Sequence, residues 1–335
     1  MIQFEALSKR GQVGRLRRMA EKALLDYGIR GARLSLLDHF NNTTFRVDAP
    51  NGERYVMRIN HASTSQAYPG RTEVEVRSEM MWLDALRRDT DLAVPEPVRT
   101  AGGAFLTIAQ VDGVPEPRMC VLLKWLEGRF IDKGLTAWHL ERVGVFIARL
   151  HEHTTHYSVP EGFTRVRVDE ISDTLAEYML SKFGQFRSPE EVGVVEETIR
   201  RVREVQVRIG TGPEVFGLIH SDLHQMNYFF HQGQVRAIDF DDCGWAALIY
   251  DLTVTLFEIY HRKDYPEMRA ALLRGYRSMR HLSPEHESYL DTYIALRELQ
   301  LAIWFLDQRE HPAFRDKWEA DVTMGLEALK KFVAA

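Results

Sequence analysis

Two cysteines in 335 residues, Cys120 and Cys243, lie far apart and follow neither a metal-ligand nor a redox spacing. A disulfide scaffold and a cysteine zinc site are thereby excluded, and both read as free thiols in a reducing compartment. Glycine-rich phosphate loops are absent too. Neither G-x-G-x-x-G nor G-x-x-x-x-G-K-[ST] occurs, and Gly210-Thr211-Gly212 runs into Pro213, which argues against Rossmann and P-loop nucleotide binding. No apolar run approaches the ~20 residues that span a bilayer, because even 299–306 is flanked by charge. Glu5, Lys9 and Arg10 interrupt any signal-peptide core. Positive charge is in deficit, with 43 Lys and Arg against 48 Asp and Glu, so no nucleic-acid partner is expected. The one basic cluster, Arg15-Leu16-Arg17-Arg18, reads as a solvated helix face. A cytoplasmic protein with no membrane or nucleic-acid partner is the expectation.

What is present is an ordinary globular composition, 45% hydrophobic and 27% charged, on a chain long enough to bury a full core. Residues 12–27 repeat apolar side chains at helical intervals. From 33 to about 60 the pattern turns strand-like, with Asn51-Gly52 between two alternating runs as a hairpin cue. A helix is expected over 71–88 and strands near 103–109 and 119–125. Beyond Glu127-Gly128 the pattern is helical, at 168–183, 189–208, 248–262, 264–279, 285–309 and 313–333. The fold class is therefore α+β, with residues 1–126 as a lobe built on a small antiparallel sheet behind a leading helix. Residues 127–335 form a larger, mostly helical lobe interrupted by a hairpin at 215–242. His151-Glu152-His153-Thr154-Thr155-His156 has Thr155 where a metalloprotease helix needs histidine, so zinc is not expected there.

The densest chemistry is Leu218-Ile219-His220-Ser221-Asp222-Leu223-His224-Gln225-Met226-Asn227, followed by Ile238-Asp239-Phe240-Asp241-Asp242. Phosphoryl transfer needs a hydroxyl held in line by an acceptor, and Mg²⁺ held by oxygen ligands. Asp222 suits the first task as a base that orients the hydroxyl and takes its proton late. Asn227 and Asp239, seventeen positions after Asp222, suit the second. Asp241 reads equally as a ligand to a second metal or as a hinge carboxylate.

The pattern His220, Asp222, His224, Asn227 together with Ile238-Asp239-Phe240 resembles the catalytic core of the aminoglycoside phosphotransferase-like kinases, which include choline kinases and homoserine kinase-type enzymes. Ser221 stands where that family commonly has glycine. The resemblance implies a two-lobed, protein-kinase-like fold with residues 1–126 as the nucleotide-binding lobe, and ATP and Mg²⁺ as cofactors. It also implies Val56 against the adenine and Arg58 on the α/β-phosphates, where protein kinases place lysine. Arg58 then requires an acid, either Glu79 or Glu75. Val121-Leu122-Leu123-Lys124-Trp125-Leu126 resembles the hinge that reads adenine, through the Lys124 carbonyl and the Leu126 amide. The loop 39–44 is the family's first hairpin, with Thr43 and Thr44 as phosphate contacts.

Only twelve positions separate Asp239 from Asp251, too few for a peptide-binding activation segment. The expected acceptor is thus a small hydroxylated metabolite (amino alcohol, amino acid, sugar or aminoglycoside), with Glu258, Tyr260, Glu298, Trp304 and Asp307 as candidate lining. A protein Ser/Thr kinase of the same fold and a nucleotide-binding pseudokinase are the alternatives, the second resting on arginine in place of lysine at position 58. His151 and Asp251 read as architectural, Asp251 holding the catalytic loop through its backbone.

Overall fold

The computed structural model describes residues 3–61, 71–131 and 133–335. The chain divides into two compact units. One comprises Met1–Arg129, Ser158–Arg165 and Arg236–Asp241, the other Phe130–Tyr157, Val166–Val235 and Asp242–Ala335.

The first unit starts with α1 (Lys9–Asp26), capped by the Ser8 hydroxyl on the Gly11 N–H. Its apolar stripe Val13, Leu16, Met19, Ala20, Ala23 and Leu24 is buried. There follow β1 (Arg33–His39), β2 (Thr43–Asp48), β3 (Arg54–Ile59), α2 (Glu73–Asp89), β4 (Pro97–Val98), β5 (Leu106–Ala109) and β6 (Arg118–Lys124). The strands form one antiparallel sheet in the order β1-β2-β3-β6-β4, with β5 also on β6. Between β2 and β3 the chain turns through Asn51 and Gly52, the latter at φ +86, as the Asn51 side chain accepts the Glu53 N–H. Strand alternation sends Phe45, Val47, Tyr55, Met57, Ile59, Cys120 and Leu122 into a core with the α1 stripe. Val56 and Arg58 consequently lie on the opposite face. β4 was not anticipated; its proline sits at the sheet edge, where a missing N–H costs nothing.

The second unit contains α3 (Ala137–His156), α4 (Asp173–Gly184), α5 (Pro189–Ile209), β7 (Phe216–Ile219), β8 (Tyr228–His231), β9 (Gln234–Ala237, whose end belongs to the first unit), β10 (Gly244–Ala247), α6 (Ile249–Phe257), α7 (Tyr265–Arg277), α8 (Pro284–Ser288), α9 (Leu290–Asp307) and α10 (Trp318–Ala334). The hairpin expected over 215–242 is reorganised. Its true hairpin is β8–β9, turning at Gln232 and Gly233, both with positive φ. β7 instead pairs antiparallel with β10, Ile219 opposite Gly244 and Phe216 opposite Ala247. The polar loop 220–227 is thereby freed from any ladder. The helix expected over 285–309 is broken at Tyr289, which ends α8 and begins α9.

Helices α3 and α7 touch backbone to backbone. A Cβ added to Gly144 would lie 2.0 Å from the Leu272 carbonyl oxygen, and one on Gly275 would lie 1.9 Å from the Glu141 carbonyl oxygen. The reciprocal glycines set how closely these helices approach, and on the same pair His151 of α3 meets Tyr276 of α7. Gly275→Ala should therefore cost upward of about 3 kcal/mol despite alanine's better helix propensity. Gly193→Ala in α5, with no atom within 4 Å of the added carbon, should be neutral or stabilising. Thermal unfolding of both variants checks the contrast.

Candidate active site

In the helical unit the loop 220–227 leaves β7 and is pinned by one carboxylate. Asp251, fully buried in the first turn of α6, accepts the His220 N–H at 3.1 Å and the Ser221 N–H at 2.7 Å. His151 Nε2 lies 3.1 Å from the same carboxylate, and its Nδ1 is 3.0 Å from the Tyr276 hydroxyl. Burial pushes the His151 imidazole below its ordinary pKa against the pull of Asp251. A neutral ring donating to Asp251 and accepting from Tyr276 satisfies every atom. Ser221 sits at φ +66, a conformation costly for anything but glycine, and its hydroxyl donates to the Asp242 carbonyl.

That loop presents Asp222 among donors. The Asn227 amide nitrogen gives hydrogen bonds to the Asp222 carbonyl at 2.9 Å and to Oδ2 at 3.1 Å. His224 Nε2 lies 3.4 Å from Oδ2, while its Nδ1 accepts the Met226 N–H. Arg297, on α9, donates to Oδ1. Burial alone would raise the Asp222 pKa; the His224 hydrogen bond and the Arg297 charge overcome it and bring the carboxyl down to about 2. Asp222 is ionised at neutral pH.

In the sheet unit Arg58 makes two parallel bonds to Glu79, Nη1 to Oε1 at 2.8 Å and Nη2 to Oε2 at 2.5 Å. The two side chains are 4% and 1% exposed, which selects the fork geometry of arginine over the point charge of lysine. Glu75 is spent on the capping box with Thr72 at the start of α2, so Glu79 is the partner. Asp241 Oδ1 lies 3.8 Å from Arg58, and its other oxygen accepts from the Asn42 amide at 2.9 Å. Burial works to raise the Asp241 pKa, but Arg58 and Arg71 hold it below the carboxylate range. Of the two readings of Asp241, these bonds favour the structural carboxylate. Asp239 has φ +62 and leads into a 3-10 turn whose Phe240 packs edge-on against Trp82 at 5.6 Å. Its charge reaches Arg58, whose pKa burial would lower and Glu79, Asp241 and Asp239 together raise.

Residues 34–289 match the model of the phosphotransferase enzyme family. The chain belongs to that family. A homoserine kinase of Gluconobacter oxydans is 30% identical over 169 residues, 48% of this chain and 52% of that protein. A microcompartment-associated aminopropanol kinase superposes with a TM-score of 0.80 at 26% identity, over 95% of this chain and 98% of its own. An amicoumacin kinase solved with AMP-PNP, Ca²⁺ and its antibiotic has a TM-score of 0.79 at 19% identity, over 97% and 96%. The fold is kinase-like, with an antiparallel-sheet N-terminal region and a helical C-terminal part.

The geometry sorts the remaining nucleotide-side candidates of this phosphotransferase. Thr44 is the direct neighbour of Arg58 in the β2–β3 ladder and shares its face. Thr43 pairs with Ile59 on the core face, and its hydroxyl is 2.8 Å from His39 Nδ1. Its side chain is therefore turned away from Arg58, and only its amide stays a candidate. Val56 is half-buried beside Leu123. The Lys124 N–H bonds the Glu96 carbonyl, its ammonium pairs with the Glu96 carboxylate at 2.6 Å, and Leu126 lies just past the strand.

Of the acceptor candidates, Asp307 is committed to Lys182 at 2.8 Å and to the Tyr178 hydroxyl, and Trp304 packs edge-on against Phe305 and Phe314. Arg297 went unnoticed in the sequence, although a lone cation in the apolar run 293–306 is the signal that marks it. Among the described residues no group of three or more His, Cys, Asp or Glu is placed to hold a metal ion. Mg²⁺ that arrives with a nucleotide takes only one or two carboxylates from protein. The Asn227 amide nitrogen is spent on Asp222, leaving its oxygen for a cation, and Asp239 is a carboxylate.

Glu298, 7% exposed on α9, is pushed up to about 7 by burial, against a hydrogen bond from Tyr260 that lowers it. A raised acid carries its full stability below the unfolded value and loses it as pH climbs through the folded one. Stability should thus fall between about pH 4.5 and 7, by about 3 kcal/mol at most. The expected outcome is a Tm advantage of Glu298→Gln over wild type that is small at pH 4.5, grows to pH 7 and is level above it.

Proposed function

We propose that the protein transfers the γ-phosphoryl group of ATP, with Mg²⁺, to a hydroxyl of a small metabolite such as an amino alcohol, amino acid, sugar or aminoglycoside. The observation that carries this reading is Asp222, an ionised carboxylate whose two oxygens are held by Arg297, Asn227 and His224 on a loop that Asp251 cannot release without burying an unpaired charge. A loop-capping aspartate has no need of such a setting.

Asp222 aligns the acceptor hydroxyl and takes its proton as the P–O bond forms, since a carboxylate is too weak a base to remove it beforehand. Asn227, through its amide oxygen, and Asp239 would hold the divalent ion, which would supply neutralisation of the phosphate charge. Arg58, locked by Glu79, binds the α/β-phosphates, with Thr44 and the Thr43 amide as further donors. Val56 packs on the adenine, and the Lys124 carbonyl and Leu126 amide read its edge. AMP-PNP and Ca²⁺ in the amicoumacin kinase support a nucleotide and a divalent ion as cofactors.

A small acceptor is favoured because the interval from Asp239 to Asp251 is taken up by the 3-10 turn, β10 and the start of α6. No length remains for a peptide-binding segment. The relatives named for homoserine and aminopropanol point the same way.

ADP release from Mg-ATP against hydroxylated metabolites, aminoglycosides and a generic protein substrate tests the reading. Turnover with one small acceptor is expected, and Asp222→Asn should lower kcat by at least about 10²-fold while nucleotide affinity stays within twofold. Full turnover in that variant would remove Asp222 as the base. Asp239→Ala should abolish the Mg²⁺-dependent part of the thermal shift given by ATP; an unchanged shift would remove it as a ligand.

A further inference from the structure

Arg297 is poorly explained as a mere companion of Asp222. It projects from α9 into the helical unit with its side chain 16% exposed. One Nη2 proton goes to Asp222 Oδ1. The Tyr250 hydroxyl, itself a donor to Gln300 Oε1 at 2.5 Å, takes another through its oxygen. Nε is buried and has no hydrogen-bond partner among the described residues. A guanidinium carries five N–H donors in a rigid fork, and leaving a buried donor unmet is destabilising. Asp222 is already oriented by Asn227 and His224, so orientation does not call for a third donor. A buried arginine also makes a carboxylate less basic, which no pure proton acceptor gains from. Both costs make sense if the guanidinium serves a second anion that arrives next to Asp222.

We propose that Arg297 binds an anionic oxygen of the substrates at the site of transfer, Nε and the remaining Nη protons completing their hydrogen bonds on it. This rests on the phosphotransfer reading. Two substrate groups offer that chemistry beside the base: the phosphoryl group in flight and a carboxylate on the acceptor. In the reaction the bond from the γ-phosphorus to the bridging oxygen breaks and its electron pair leaves on ADP. The new P–O bond forms to the acceptor, whose proton goes to Asp222. The equatorial oxygens keep their negative charge throughout, directly facing an anionic base, and a cation touching both offsets that repulsion.

The test compares wild type, Arg297→Lys and Arg297→Gln, each checked for folding by its thermal transition. Three acceptors are run at saturating Mg-ATP: 3-aminopropan-1-ol, L-homoserine (the same skeleton bearing a carboxylate) and water. The first is repeated with ATPγS. If the phosphoryl oxygens are the ligand, kcat falls about 10²–10³-fold with every acceptor, KM is held, and the ATP-to-ATPγS rate ratio shifts. If the acceptor carboxylate is the ligand, KM for L-homoserine alone rises at least tenfold and the other two are unchanged. Folded variants within twofold of wild type on all acceptors overturn the proposal. So does a kcat loss with an unaltered thio ratio and equal KM values, because Arg297 would then act only by orienting Asp222. The lysine variant keeps the charge and so separates loss of the fork from collapse of the fold. A wild type that releases no ADP with any of the three is run against the wider panel of hydroxylated metabolites and aminoglycosides with the same variants, and silence there as well sinks the phosphotransfer reading and this inference with it.

Discussion

The interaction on which the helical unit depends is the Asp251 carboxylate against the backbone of residues 220 and 221. A carboxylate with no access to water needs hydrogen-bond donors around it, and here two loop amides and one imidazole supply them. Each of those partners is set by something farther away. His151 reaches Asp251 because α3 and α7 lie close enough for Tyr276 to hold the other face of its ring, and that closeness exists because Gly144 and Gly275 carry no side chain. Ser221 tolerates a left-handed backbone because its N–H and hydroxyl are both paid for in hydrogen bonds. The strain sits next to Asp222, the proposed base, in keeping with the tendency of such departures to gather at functional sites.

A common electrostatic plan runs through both units. Arg58 and Asp241 in one, and Asp222, Arg297 and His224 in the other, are charged groups in which desolvation and pairing oppose each other and pairing wins. Phosphoryl transfer asks little covalent chemistry of the protein. It asks for charges already in position, so that nothing must reorganise when the phosphoryl group moves. Glu298 is the counter-example in the same helix as Arg297: buried without a cation, it tends to the neutral form.

Much of this was legible in the chain because it is local. The spacing of His220, Asp222, His224 and Asn227 sits inside one loop, so order in sequence is order in space, and Asn227 does bond Asp222. The stripe of α1 and the turn at Asn51-Gly52 follow from helical period and backbone preference alone. Alternation along β3 placed Arg58 opposite the core, and it is there. The distance from Asp239 to Asp251 bounded what could lie between them.

Other features were decided only by the tertiary structure, because they pair residues whose separation carries no periodic signal. Glu75 and Glu79 are one helical turn apart and equal on paper; the capping demand of Thr72 consumes the first and leaves the second to Arg58. Thr43 and Thr44 are adjacent, and the register of β2 against β3 sends them to opposite faces. β7 pairs with β10 across the segment 220–243 rather than with the nearer β8. Arg297 meets Asp222 from 75 positions away, where only the packing of α9 against α6 brings the two together. Sequence determined which groups the protein owns and how neighbours in the chain are arranged. Long-range packing determined which charge answers which, because that choice depends on distances the chain itself does not encode locally.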